Sequence, residues 1–262
     1  MKKILCLAIA LVMYVCVFAS CAQEKDKLIV GYTIYEPMNY EENGKLIGFD
    51  TELAEAVAEE LGMEIEFKLI QWSNKYMELE SGNVNCLWNG FTSNCADDDG
   101  IQRSEKVDFS YAYMKNEQCV VVRKADASKY ATAESLAGKS CAAEAGSAGE
   151  GVAKDFIGEN GKFTACTAQT ATLTELMGNK VDFVVIDKTM AKTLIGKGSY
   201  ADLAIVEAIE IPSEEYSIGL KKGSELTAKV NGALEALAAD GTMTKLAEKY
   251  GLENYVITEF KK

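Results

Sequence analysis

The sequence has 262 residues, 48% apolar and 26% charged, the balance of a globular protein rather than a disordered one. Its formal charge of −13 argues against nucleic acid, whose phosphates demand clustered Lys and Arg, and against electrostatic adhesion to anionic lipid. There is no histidine, hence neither the commonest transition-metal ligand nor the usual general base, and neither a metal site nor a cofactor is expected.

Lys2 and Lys3 precede an apolar run from Ile4 to Phe18, followed by Ala19, Ser20 and Cys21. A basic start, a short apolar core and a small-residue exit read as a secretory signal peptide over residues 1–20. The run is also shorter than the roughly 17–25 residues of a spanning helix. Phe18-Ala19-Ser20-Cys21 resembles a bacterial lipobox, with Phe where such boxes usually carry Leu. That implies cleavage before Cys21 and a lipid on its thiol. The alternative is an ordinary signal peptide with a coincidental cysteine. Residues 22–27 then read as a polar tether. Cys86, Cys95, Cys119, Cys141 and Cys166 remain after the leader, an odd number with no CxxC pair. Most sit in apolar strand-like runs, where buried thiols are expected.

The mature sequence alternates strands and helices. Residues 28–32 (LIVGY) predict a strand, and Asp50 can cap a helix to Leu61 with Leu53 and Val57 on one face. Strand 65–70, helix 73–80 and strand 84–88 follow. A second series comprises strands 119–123 and 140–143, a helix from about Gly149, strand 163–166, helix 172–177 and strand 182–186. Strand 216–220, helix 224–239 and a last helix through Tyr250 complete the pattern. Such alternation implies parallel sheets covered by helices, and two series imply two lobes. Ligands in open α/β sheets sit beyond the carboxyl ends of strands. Asn89-Gly90-Phe91-Thr92, Glu144-Ala145-Gly146-Ser147 and Asp187-Lys188-Thr189 cluster there. Asp97-Asp98-Asp99-Gly100 lacks the alternating spacing of a calcium loop and reads as a solvated turn.

In order, LIVGYTIYEPMNY, GKLIGFDTELAEAVAEELG, NGFT, RSEKVDFSYAY, EAGS, VDFVVID and LAADGTMTKLAEKYG resemble the bacterial extracellular solute-binding proteins of family 3. These are amino-acid receptors of ABC importers. The resemblance implies an α/β Venus-flytrap fold of two lobes joined by two crossover hinges. Lobe 1 would take residues 26–115 and 212–262, and lobe 2 residues 116–211. It further implies a monomer that captures an L-amino acid, polar or basic, by lobe closure. The protein would deliver its ligand to a membrane permease while held outside the cytoplasm by the lipid on Cys21.

By the same resemblance Arg103, with Gly90, Thr92, Gly146 and Ser147, meets the ligand carboxylate, which needs forked donors. The segment from Thr92 to Arg103 is longer than the family pattern, through CADDDG. Asp187 would take the ammonium; the alternative is a helix N-cap. Trp72 and Tyr35 would flank the side chain. Glu144 stands where many relatives carry a neutral residue and would pair with a cationic side chain. The alternative holds it by a Lys or at a wet rim, leaving a neutral ligand such as glutamine. A dehydratase-like enzyme is weighed against the receptor, but the usual general base and a GxSxG elbow are both missing. A ligand-sensing module would continue into a spanning helix and signalling domain.

Overall fold

The computed structural model describes residues 26–260; the leader and Cys21 lie outside the described residues. Strand β1 (Lys27–Tyr32) leads to a hairpin of β2 (Tyr40–Glu42) and β3 (Lys45–Ile47), then to helix α1 (Phe49–Glu60). Phe49, Leu53 and Val57 fall four residues apart on the buried face of α1. β4 (Glu64–Leu69), α2 (Lys75–Glu80), β5 (Cys86–Leu87), α3 (Arg103–Lys106) and β6 (Asp108–Phe109) follow. The expected cap at Asp50 is not made. The cap position is Gly48 at φ 127°, where a Cβ would lie 2.2 Å from the Met38 carbonyl oxygen. Asp50 is inside the first turn and fully buried, and its Oδ2 accepts from Gly90 N–H (2.8 Å) and Tyr113 O–H (2.9 Å).

β7 (Met114–Arg123) is ten residues long, twice the predicted strand. After it come β8 (Ser140–Glu144), α4 (Ala148–Ile157), β9 (Lys162–Cys166), α5 (Gln169–Met177), β10 (Phe183–Asp187) and α6 (Lys188–Leu194). β11 (Leu203–Ile205), β12 (Ser213–Tyr216), β13 (Gly219–Leu220), α7 (Leu226–Ala239) and α8 (Thr242–Tyr250) complete the chain. The predicted strand 216–220 is two strands. β12 pairs with the first half of β7, and after Ser217 and Ile218 the chain enters the other sheet as β13.

The fold has two lobes. One holds a sheet ordered β4-β1-β5-β13-β6; the other holds β11-β7-β10-β8-β9. Neither sheet is purely parallel. β1 with β4 and β5, and β8 with β9 and β10, are parallel, while β7, β11, β12 and β13 pair antiparallel. In the second sheet Val120, Val122, Phe183 and Val185 pack on one face, and Val121, Val184 and Ile186 on the other. A sheet covered on both faces explains the unbroken apolar runs in β7 and β10. Burying each such Val or Ile contributes about 1.5–3 kcal/mol. Leu28, Val30, Leu53, Val57, Leu220 and Leu234 belong to the first lobe's core. β7 and β12 run side by side between the sheets, so the chain passes between lobes along a paired ribbon. The segment after α8 lies on it, Lys115 N–H donating to Tyr255 O and Ile257 N–H to Tyr113 O, both at 2.8 Å. Cys86, Cys119, Cys141 and Cys166 are buried and Cys95 half-buried, all as free thiols.

Candidate functional site

Between the lobes, at the carboxyl ends of β4, β5, β8 and β10, lies a tightly closed cavity of about 10 Å³. Lobe 1 supplies Trp72, Asn89, Gly90, Thr92 and Arg103; Glu144, Ser147, Ala148, Gln169 and Asp187 face them. Seven of the nine predicted binding residues therefore border one space, while Tyr35 and Gly146 do not.

Arg103 opens α3 and is 1% exposed. Its Nε donates to Asp97 Oδ1 (2.8 Å), Nη1 to Thr92 O (3.0 Å) and Nη2 to Gly146 O (3.1 Å). Three of five N–H groups are thus engaged, leaving two without a partner among the described residues. Arg103 borders the cavity, and Asp97, within the longer Thr92–Arg103 segment, holds its guanidinium. Ser147 is the N-cap of α4, its Oγ accepting from Glu150 N–H at 3.2 Å while keeping its own proton to donate. The Gly90 N–H, expected for the ligand, is engaged by Asp50. A Cβ on Gly90, whose φ is 58°, would come within 2.7 Å of Tyr35 Cε1.

Asp187 ends β10 and precedes α6, yet its side chain makes no capping bond. Oδ1 instead accepts from Tyr216 O–H, Asn116 Nδ2 and Gln118 Nε2, each at 2.7 Å, and Oδ2 accepts from Gln169 Nε2. Tyr35, expected against the ligand, is 1% exposed behind this wall, its hydroxyl 2.8 Å from that of Tyr216. It supports Asp187 at one remove. Burial raises the Asp187 carboxyl above the usual range, against which these donors act.

Glu144 ends β8 and is 4% exposed, and its Oε1 has no hydrogen-bond partner. Burial, then the nearby Asp187 charge, push its carboxyl up to about 8, with Lys75 acting in the opposite sense. Lys75 itself is 2% exposed and donates to Gly146 O at 2.9 Å, so it does not reach Glu144 with a hydrogen bond. Its Nζ sits 4.6 Å from the Tyr76 ring centre, and burial lowers the amine to about 8. Trp72 meets Phe91 edge to face at 5.0 Å. One cation and two carboxylates thus border a closed polar space whose contacts come from both sheets.

The family model for bacterial extracellular solute-binding proteins, family 3, matches residues 28–253. The chain belongs to that family. This family-3 protein is 28% identical over 228 residues to the arginine-binding extracellular protein ArtP of Bacillus subtilis, covering 86% of each chain. It is 31% identical to the probable amino-acid-binding protein YxeM of the same organism, over 92% of this chain and 90% of that one. Among solved structures, an ancestral arginine-binding protein bound to arginine matches with a TM-score of 0.78. That pair is 31% identical over 87% of this chain and 99% of the other. No helix among the described residues of the family-3 protein is long and apolar enough to cross a membrane.

Sequence reasoning missed Gln169, Asn116, Gln118 and Glu214. None sits in a motif; Asn116, Gln118 and Glu214 reach Asp187 only once β7, β10 and β12 are assembled, and Gln169 reaches it from the start of α5. Lys75 was missed because a buried lysine in a helical run looks like a solvated one.

Proposed function

We propose that this solute-binding protein captures an L-amino acid with a cationic side chain and delivers it to the permease of an ABC importer. The observation that carries the reading is the buried, unpartnered Glu144 Oε1 bordering a cavity that already contains Asp187. An orphaned buried carboxylate is costly, and a ligand cation relieves that cost. Arg103 (with Thr92 and Ser147) takes the α-carboxylate, Asp187 the α-ammonium, and Glu144 the cationic end, while Trp72 lies along the stem. The similarity to ArtP and to the arginine-bound ancestral protein supports a cationic amino acid as the ligand class. Residues 26–115 and 212–262 act as one lobe and 116–211 as the other, closing as a monomer around the ligand. Outside the cytoplasm, lipid on Cys21 keeps the protein at the membrane, so Cys21→Ser should move it to the soluble fraction. Unchanged membrane retention would reject the anchor.

The test is a competition series of arginine, lysine, glutamine and glutamate on the wild type and Glu144→Gln. Arginine or lysine should bind most tightly and lose affinity selectively on substitution. A preference for glutamine unaffected by the substitution would move the ligand to the neutral class. Tight glutamate binding would overturn the assignment.

A further inference from the structure

Residues 95–102 form a small closed turn. Ala96 bridges Gln102, and Asp97 N–H donates to Ile101 O at 3.0 Å. Within it the Asp97 carboxylate accepts from Arg103 Nε on Oδ1 and, on Oδ2, from Tyr76 O–H (2.6 Å) and Lys106 Nζ (2.8 Å). These partners hold its carboxyl down to about 2, so it is ionised throughout the working range. Next door, Asp98 pairs with Lys154 on α4 of the other lobe. Lys154 also pairs with Glu150 Oε1 at 2.8 Å, and Glu150 Oε2 accepts from Gly146 N–H at 2.6 Å. Gly146 O accepts from Arg103. A ring of polar contacts therefore leaves the turn at Asp97, crosses between the lobes twice, and returns at Asp98.

We propose that Asp97 is the positioning residue for Arg103 and that, through Asp98, the same turn clasps the second lobe. The inference rests on Arg103 meeting the ligand carboxylate. A guanidinium is planar, so fixing Nε on Asp97 and Nη1 on Thr92 O fixes the plane and the direction of its two remaining donors. A long side chain ordered before the ligand arrives loses less freedom on binding. Because Tyr76 and Lys106 hold Oδ2, Asp97 is itself anchored. Asp98 and Lys154 are each close to half exposed, and their pair is correspondingly weak. Asp98 adjusts closure while Asp97 sets geometry.

The experiment compares wild type, Asp97→Ala, Asp97→Asn and Asp98→Asn by calorimetry with L-arginine and L-argininamide, whose amide replaces the carboxylate. Thermal melts establish that each variant is folded. Asp97→Ala should lose arginine affinity on the order of tenfold to a hundredfold, the range for a hydrogen bond to a charged group, and argininamide affinity far less. Asp97→Asn, the milder change, should shift the same ratio in the same direction. Asp98→Asn should weaken both ligands equally and by less than about fivefold. Independently of any ligand, the Arg103 Nε–H resonance of the wild type should be protected from water exchange and lose that protection in Asp97→Ala. Equal loss for both ligands in Asp97→Ala, or an unprotected Nε–H, overturns the positioning role. Should arginine not bind the wild type, the ligand assignment fails, and the Nε–H measurement still decides the claim about Asp97.

Discussion

Asp187 Oδ1 and Glu214 Oε1 accept hydrogen bonds from the same two side-chain amides, Asn116 Nδ2 and Gln118 Nε2, at 2.5–2.8 Å. Among the described residues no cation pairs with either carboxylate. Burial raises both, and the Asp187 charge helps bring Glu214 to about 7. Glu144 lies close enough to feel Asp187, and Lys75, Lys188, Glu117 and Glu207 are further charged groups around these strands.

A cationic ligand needs these carboxyls ionised. Its affinity should therefore climb from about pH 5.5 to about pH 8, by up to roughly tenfold per unit for each proton released. Calorimetry with arginine across that range checks this, and Glu214→Gln should flatten part of the rise. A Kd that does not move with pH would exclude proton-linked capture.

Ligand-free stability should run the other way. Asp50 and Glu214 are raised to about 7 and Glu144 to about 8, so the folded state binds more protons than the unfolded one above the ordinary carboxylate range. Unfolding free energy must then fall as pH rises from about 4.5 to 8. Melting temperatures that increase over this window would contradict the burial argument.

Glu144→Gln removes a buried, unpaired charge while keeping the side chain's shape. The empty protein should gain about 1–3 kcal/mol at pH 8 even as arginine binding weakens. Denaturant titration reads the first effect and calorimetry the second; a destabilised empty variant would mean that Glu144 has a structural partner.

Removing either end of the zwitterion clamp leaves its counterpart in the cleft uncompensated. Arg103→Ala and Asp187→Ala should each cost about 2–5 kcal/mol of binding, at least roughly thirtyfold. Near-normal affinity in a folded Arg103→Ala would move the carboxylate contact elsewhere.

Gly90→Ala tests the wall behind Asp187 without changing charge. Its Cβ would press on Tyr35 (2.7 Å) and Tyr216 (3.0 Å) at a φ that favours glycine. Affinity should fall together with thermal stability, and wild-type values of both would show that the tyrosines yield freely.

Much of this was legible in the sequence because local chemistry carried it. The buried strand runs of β1 and β10 and the charged residue ending a strand at Asp187 are short-range signals. What escaped depended on pairings distant in sequence. Gly48, not Asp50, heads α1 because Met38 packs against it, and Asp50 goes to Gly90 and Tyr113 instead. β12 and β13 read as one strand since nothing local reveals that Ser217 and Ile218 carry the chain from one sheet to another. Tyr35 was given to the ligand because its service to Tyr216, 181 residues away, is invisible along the chain.

The two tryptophans lie in different settings, Trp72 on the cavity wall and Trp88 fully buried in the first lobe's core. Their separation gives the protein a built-in optical reporter. Emission from Trp72 should change colour or intensity as solute replaces water beside the indole, while Trp88 supplies a constant reference. Trp88→Phe would leave a single fluorophore through which capture and release can be timed in a stopped-flow instrument without any label.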